Sequence, residues 1–269
     1  MSGFAARWLA LREPYDRRAR SASVLDAVAA AFCDQPAISV VDLGCGTGAT
    51  VRAIGSRLPA RQNWRLVDND LGLLAQAAGL GRPPERTVEA RPVDLVRDLE
   101  LALDGSIDLI TTSALLDLVS AEWLERLAVE AAARRLPVYA AITYQGRATL
   151  DPAEPFDLEI VAAVNRHQRR DKGFGPALGP EAGLRAVRSF ERVGYTIVTG
   201  SSDWVFNRQD DDIQLEVLAG WAGAAAELGD LPAGAIAAWL ARRRNHVAAG
   251  KSSMRVGHVD VFAMPTAIR

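Results

Sequence analysis

The sequence predicts an α/β protein: a doubly wound, mostly parallel seven-stranded sheet with helices on both faces and helical insertions after strands five and six. Three observations carry that expectation. Short apolar runs alternate with helical patterns along the first half of the chain, the sign of βαβ units. The first run, Ala37 to Leu43, ends in a turn holding Gly44, Gly46 and Gly48 that opens directly into a helical pattern through Val51, Ile54 and Leu58. With 49% hydrophobic residues, the 269-residue chain can bury a large core within one domain, 1–269.

Ahead of the first strand, residues 1–36 predict a helical cap. Leu25, Val28 and Phe32 recur at helical spacing behind Ser21 and Ser23, either of which can serve as N-cap. Such a helix can cover one end of a pocket with Tyr15, Arg18 and Arg20, or simply pack on the core. The glycine turn is followed by a second strand from about Trp64 to Val67 that ends on Asp68, with Asp70 as N-cap of a helix from Leu71 to Leu80. A third strand region ends near Asp94. The fourth, within IDLITTSALLDLV, runs into a short helix. Ser120 caps the next helix, with Glu122 in its first turn and Arg134 and Arg135 in its last, signs that suit the helix dipole. Pro137 stops that helix, and Val138 to Thr143 form a fifth buried strand.

After Asp151 the pattern changes. Residues 151–180 predict a cap whose helix carries Phe156, Ile160 and Val164 on one stripe. A helix through Leu184, Val187 and Phe190 leads to a sixth strand, Tyr195 to Thr199. A largely helical insert, 210–248, precedes a last strand from Gly257 to Met264. The insert can act as a lid or a dimer contact, or only as packing. In a parallel sheet with right-handed crossovers, ligands gather at the carboxyl ends of the strands. Asp42, Asp68, Asp94, Ser113 and Tyr144 all fall on that edge.

The glycine turn admits two ligand classes. Gly44, Gly46 and Ala49 satisfy G-x-G-x-x-A, the dinucleotide fingerprint, and Asp68, twenty residues beyond Gly48, suits a ribose hydroxyl in either class. Asp42 favours the second class on electrostatic grounds: a carboxylate sits badly beside a pyrophosphate but well beside an ammonium and a sulfonium.

With those residues in view, VVDLGCGTG followed by LVDND resembles motif I and the acidic second-strand motif of class I S-adenosylmethionine-dependent methyltransferases, proteins of Rossmann-like fold. The resemblance runs over about Val40 to Thr143 and more loosely to the C-terminus, where GYTIVTG and HVDVFAM look like the family's last two strands. It implies S-adenosyl-L-methionine as cofactor, with Asp42, Gly44, Cys45, Gly46 and Gly48 at its methionine and ribose parts. It implies Asp68 and Asn69 at the ribose hydroxyls, Asp94 and Leu95 at the adenine, and Ser113 near the methyl group. It also implies that the last strand enters the sheet antiparallel, between strands five and six.

The acceptor is expected under the 151–180 cap, because in this family the insertion after strand five commonly contributes to the acceptor pocket. Helix geometry places His167 and Gln168 on the inward stripe of Ile160 and Val164, where a polar side chain must find partners or line a cavity. His167 is therefore the leading general base, with Asp117 and Tyr144 behind it. Arg166, Arg169 and Lys172 can bind an anionic group, joined by Gln168 and Phe174 as substrate-binding candidates. Surface solubility is the plainer reading of several of those charges. His246 and His258 read as structural.

The function expected is methyl transfer to an oxygen or nitrogen of a small-molecule acceptor, possibly anionic. The alternatives are a cofactor-binding protein without methyl transfer, or an RNA or protein methyltransferase. A net charge of −2 and a pI near 6.0 argue against a nucleic-acid partner. So does the fourth strand's end: Thr112, Ser113, Ala114 and Leu115 stand where base-amine methylases carry a Pro-Pro-aromatic signature. No apolar run reaches a membrane span. The charged N-terminus does not resemble a signal peptide, so a cytoplasmic location is expected, and a homodimer is possible. Cys33, Cys45 and the three histidines show no metal-ligand spacing.

Overall fold

The computed structural model describes residues 6–81 and 84–266. In chain order the elements are α1 (Ala6–Ala19), α2 (Ala22–Phe32), β1 (Ala37–Leu43), α3 (Ala49–Ile54), β2 (Arg61–Asp68), α4 (Leu71–Ala78), β3 (Arg86–Pro92), α5 (Leu99–Ala102) and β4 (Leu109–Ser113). There follow α6 (Ala121–Arg134), β5 (Val138–Asp151), α7 (Asp157–His167), α8 (Ala182–Arg192), β6 (Tyr195–Ser201), β7 (Trp204–Phe206), α9 (Asp211–Leu228), α10 (Ala233–Ala248) and β8 (Ser253–Pro265). The sheet order is β3-β2-β1-β4-β5-β8-β6, with β7 an eighth strand paired to β8. Strands β1 to β5 are parallel, and β8 enters antiparallel between β5 and β6.

Burial explains that arrangement. Ile38, Val40, Val41 and Leu43 of β1 are all essentially inaccessible, as a central strand covered on both faces requires. Their alternate side chains feed two cores on opposite faces of the sheet. Ile38 and Val40 join Phe32, Val51 and Leu66, while Val41 and Leu43 join Leu99, Leu116 and Leu124.

Several expectations are corrected. The N-terminal segment is two helices rather than one. Ser21 takes the N-cap position of α2 without a side-chain capping bond; its backbone N–H donates to Asp260 instead, at 3.0 Å. The third strand stops at Pro92. After β4 the chain makes a turn, not a short helix, around Ala114 at φ 52°. Arg135 lies beyond the last turn of α6, in the left-handed region. Strand β5 continues to Asp151, through two register shifts, because β8 offers it a partner along that whole length. In α8 the buried face is Ala182, Ala186 and Phe190, and Leu184 points to solvent.

The 210–248 insert packs within the chain. Helix α9 lies against both α7 and α10, and one polar node fixes the group. Asp157 accepts from Trp239 Nε1 at 2.8 Å and from Arg243 Nε at 3.0 Å. Arg243, wholly buried, also reaches the carbonyl of Pro152 at 2.6 Å and bonds Asp157 a second time through Nη2. A fork-to-carboxylate pair of this kind holds its partners in one relative orientation. Among the described residues no helix is long and apolar enough to cross a membrane.

Removing Asp157 leaves a buried guanidinium without its counter-charge. Asp157→Ala is expected to cost about 3–5 kcal/mol of stability, read by urea denaturation. A loss no larger than that of an exposed control such as Asp26→Ala would show that the node is not structural.

Candidate active site

One cavity of about 860 Å³ opens at the carboxyl ends of β1, β2 and β4, within the roughly 300–1,000 Å³ usual for small-molecule sites. Its floor is built from the turn after β1 (Gly44, Cys45, Gly46, Thr47), from Asp68 to Asp70 and from Val93 to Val96. Ser113, Ala114, Leu115 and Leu118 add the end of β4. Its roof comes from two other places: Leu9, Arg12 and Asp16 of α1, and Asp171 to Phe174 beyond α7.

The floor is a tight backbone structure. Gly44, at φ 65°, follows the strand into a turn that a side chain would strain, and a Cβ there would lie 3.4 Å from Leu115. Cys45 N–H donates to Val67 O at 2.9 Å, tying the turn to β2. Asp68 accepts from Gly46 N–H through Oδ2 at 2.8 Å and from Asp70 N–H through Oδ1 at 3.0 Å. Each of its oxygens has one N–H partner, so each keeps room to accept from a ligand hydroxyl. Asp94 accepts from Val96 N–H at 2.9 Å, while the carbonyl of Leu95 takes Trp123 Nε1–H at 2.6 Å. Burial, with Asp42 and Asp68 nearby, pushes the Cys45 thiol far up, so it stays neutral.

Of the expected cofactor residues, Gly44, Cys45, Gly46, Asp68, Asn69, Asp94, Leu95 and Ser113 line the cavity. Asp42 and Gly48 do not. Asp42 is 1% exposed beneath the turn, with Oδ1 accepting from Thr111 Oγ1 at 2.8 Å and Oδ2 without a partner. Burial lifts its carboxyl to about 7, only partly offset by Thr111, Arg20 and Thr50. It lies beneath the floor and off the cavity lining, where sequence alone had set it beside a ligand's cation.

The basic run after α7 divides. Lys172 and Phe174 line the cavity, Phe174 edge-on to Trp123 at 5.4 Å. Arg166, His167, Gln168 and Arg169 do not. Arg166 pairs with Asp230 at 2.7 Å and Arg169 with Glu181 at 3.1 Å. His167 Nε2 lies 2.8 Å from Glu227 Oε2. Gln168 terminates the helix. The inward stripe does turn inward, but α9 already packs on α7, and the polar end of that stripe meets α9 and the segment after it.

The two reserve bases sit deeper. Tyr144 donates to Asn165 Oδ1 at 2.8 Å, and burial pushes its hydroxyl further up, away from any basic role. Asp117 is buried off the cavity with Oδ1 unpartnered. Desolvation lifts it to about 6, against the pull of its own amide, of Arg12 and of the Tyr144 amide. His258, its ring tilted by 49° against Trp204 at 4.7 Å, donates Nδ1–H to Val256 O; burial and Arg12 hold it neutral, at about 3.

The N-terminal helical cap does cover one end of the pocket, but with Leu9, Arg12 and Asp16 of α1 and not with Tyr15, Arg18 or Arg20. Asp16 accepts from Arg12 Nε and from Trp204 Nε1, both at 2.8 Å, and Arg12 lies over the Trp204 ring. The spacing Leu9, Arg12, Asp16 is a helical stripe, but its mixed polarity hides which side faces inward. Among the described residues there is no cluster of three or more side chains fit to hold a metal.

Residues 40–137 match a family model described as a methyltransferase domain. Among solved structures, the chain is similar to a cyclopropane-fatty-acyl-phospholipid synthase-like protein from Lactobacillus casei ATCC 334, at 14% identity and TM-score 0.51, covering 94% of this chain and 99% of that one. It is similar to a candidate methyltransferase from Bacillus halodurans C-125 at the same identity and TM-score, over 91% and 98%. No curated protein sequence matches. The two structural likenesses define the class I methyltransferase fold. The matched segment, residues 40–137, is a methyltransferase domain that lies on the cavity floor, and the cofactor of such a domain is S-adenosyl-L-methionine. The residues present suit that group: a glycine turn open to close approach, a carboxylate with free accepting capacity, and a cavity large enough for it.

Asp42 and Asp117 make a pH prediction. Their folded values of about 7 and about 6 exceed the ordinary 3.8, so the folded chain keeps protons that the unfolded chain has released. Each therefore lowers stability as pH rises from about 4 through its folded value. Asp117→Asn removes one such dependence. Its stability relative to the parent chain is expected to be higher at pH 7 than at pH 4, by denaturation at both. An unchanged difference would place Asp117 in an ordinary ionised state.

Proposed function

We propose that the protein transfers a methyl group from S-adenosyl-L-methionine to an oxygen or nitrogen of a small-molecule acceptor. The observation that carries this reading is the division of the cavity between floor and roof. Its floor offers Asp68, Asn69, Asp94 and the glycine turn to an adenosyl group. Its roof, supplied by α1 and residues 171–174, leaves a compartment walled by Leu9, Leu115, Leu118 and Phe174. A roofed, largely apolar compartment suits a small molecule better than a nucleic-acid or protein surface.

In this reading Gly44, Cys45 and Gly46 pass under the methionine and ribose parts and Asp68 accepts from the ribose hydroxyls. Asp94 and Leu95 border the adenine, and Ser113 marks the methyl end. When bound, the cofactor supplies an electrophilic methyl on a sulfonium. The chain's part is to hold the acceptor in line with it and to keep water out, and alignment alone supplies much of such an acceleration. The two arginines that suggested an anionic acceptor are taken up elsewhere: Arg166 by Asp230 and Arg169 by Glu181. That pairing favours an acceptor with an uncharged, apolar body.

Calorimetry with adenosylhomocysteine tests the cofactor half. Asp68→Ala is expected to weaken binding by at least about 100-fold, given two charge-assisted bonds of about 1.5–3 kcal/mol each. Incubation with methyl-labelled cofactor and a metabolite extract tests the acceptor half, with label expected in a small molecule. Label in RNA or protein would replace the acceptor class. Tight binding with no labelled product in any fraction would make the chain a cofactor-binding protein.

A further inference from the structure

Of the 31 lysine and arginine residues in the chain, only Lys172 and Lys251 are lysines. Lys251 is exposed beyond α10, whereas Lys172 is half-buried on the cavity wall. The choice has chemical weight, because a guanidinium keeps its proton at any working pH while an amine withdrawn from water can release it. A fixed positive charge is what arginine supplies at Arg12, on the same cavity lining.

The amine also has an uncommon neighbour. Lys172 makes no ion pair among the described residues; its Nζ lies 3.2 Å from His167 Nδ1. His167 Nε2 in turn lies 2.8 Å from Glu227 Oε2. The carboxylate can only accept, so in the neutral ring Nε2 carries the hydrogen and Nδ1 presents its lone pair to the amine. The Glu227 side chain is 68% exposed and that of His167 17%. Amine, imidazole and carboxylate thus form a row from the cavity wall to bulk water.

We propose that Lys172 is the general base that takes the proton of the methyl acceptor, and that His167 and Glu227 hold its amine and pass that proton to solvent. The proposal rests on the methyl-transfer reading above and names the group that completes it. As the acceptor's nitrogen or oxygen forms its bond to the methyl carbon, its own bond to hydrogen breaks toward Lys172 Nζ, and the carbon–sulfur electron pair stays on sulfur. Lys172 then gives a proton to His167 Nδ1 while Nε2–H passes to Glu227, which releases it to water. His167 and Glu227 are positioning residues here. His167 therefore keeps a part in the chemistry, one step removed from the acceptor.

The charges around the amine are consistent with this role. Burial lowers the Lys172 pKa, Arg170 lowers it further, and Glu227 opposes them. The Asp171 carboxylate turns away, accepting from the amides of Gly173 at 2.6 Å and Gly175 at 3.0 Å. Arg12 faces the same cavity with its charge paired to Asp16.

With two lysines, the amines can be followed singly. Light reductive methylation with carbon-13 formaldehyde on the full chain gives a resonance for each, and both can be titrated by NMR. The Lys172 midpoint is expected to lie below that of an ordinary exposed amine. Glu227→Gln should move the Lys172 midpoint lower and leave Lys251 in place. Coincident midpoints, or a Lys172 midpoint indifferent to both Glu227→Gln and His167→Gln, would overturn the proposal. Lys172→Arg keeps a cation but cannot act as base. It should retain adenosylhomocysteine affinity yet lose at least about 100-fold in turnover of the acceptor recovered from the extract. Turnover at the parent rate would also overturn it. Failure of the parent chain to bind adenosylhomocysteine would strike the cofactor assignment and leave the lysine titration standing on its own.

Discussion

The buried carboxylate of Asp260 is the contact on which the rest of the arrangement depends. It lies wholly inaccessible in the middle of β8. Its Oδ2 accepts from Ser21 N–H at 3.0 Å and from the Tyr139 hydroxyl at 3.1 Å, and its Oδ1 from Ile142 N–H at 2.8 Å. Arg20 adds a second layer, donating to the Tyr139 hydroxyl at 3.1 Å and to Ser113 Oγ at 3.2 Å. One node thus joins the α1–α2 junction, the end of β4, the bulge in β5 and the last strand. A carboxylate buried this deeply is tolerated because donors and a guanidinium surround it; the loss of one partner would leave the others costly.

That node sets the roof of the cavity. Helix α1 ends at Ala19, one residue before Arg20, so the anchoring of Arg20 and Ser21 fixes where Leu9, Arg12 and Asp16 fall. Asp16 is then locked from the far side by Trp204 Nε1, which draws β7 and β8 into the same wall. The bulge has a purpose in this frame as well. Ile142 sits at φ 54°, a conformation that costs a non-glycine residue on the order of 1 kcal/mol, and the bond from its N–H to Asp260 offsets it. Past the bulge β5 runs on beside β8 to Asp151, and that extension carries α7 to the position where α9 can cover it.

The sequence disclosed the parts of this molecule whose cause is local. Alternating apolar runs, Asp70 and Ser120 as caps, and the glycine turn after β1 are decided by neighbours a few residues away, and the structure has all of them. The cavity floor was legible for the same reason: Gly44, Gly46 and Asp68 are set by one strand–turn–helix unit and the next strand. What was hidden depends on partners far along the chain. Asp260 reads as a polar residue in a half-exposed strand until Ser21, 239 positions away, is known to meet it. His167 reads as a cavity residue until α9, some fifty residues later, is placed on its face. Helical periodicity tells which side of α7 is inward; it says nothing about what lies inside.

The two halves of the cavity are accordingly held by different kinds of constraint. The floor hangs on backbone hydrogen bonds between adjacent strands, such as Cys45 N–H to Val67 O and Val93 N–H to Asp68 O, and side-chain changes leave these bonds in place. The roof hangs on side chains: Asp16 with Trp204, Asp171 with its glycine amides, Phe174 against Trp123. Substitutions at a few such positions would reshape the roofed side of the cavity while the glycine turn stayed as it is. The same asymmetry explains why Lys172 sits where it does. It rides on the roof loop, next to whatever enters, and its proton path leads outward through α7 and α9. That path avoids the floor, where Asp42 and Cys45 are buried.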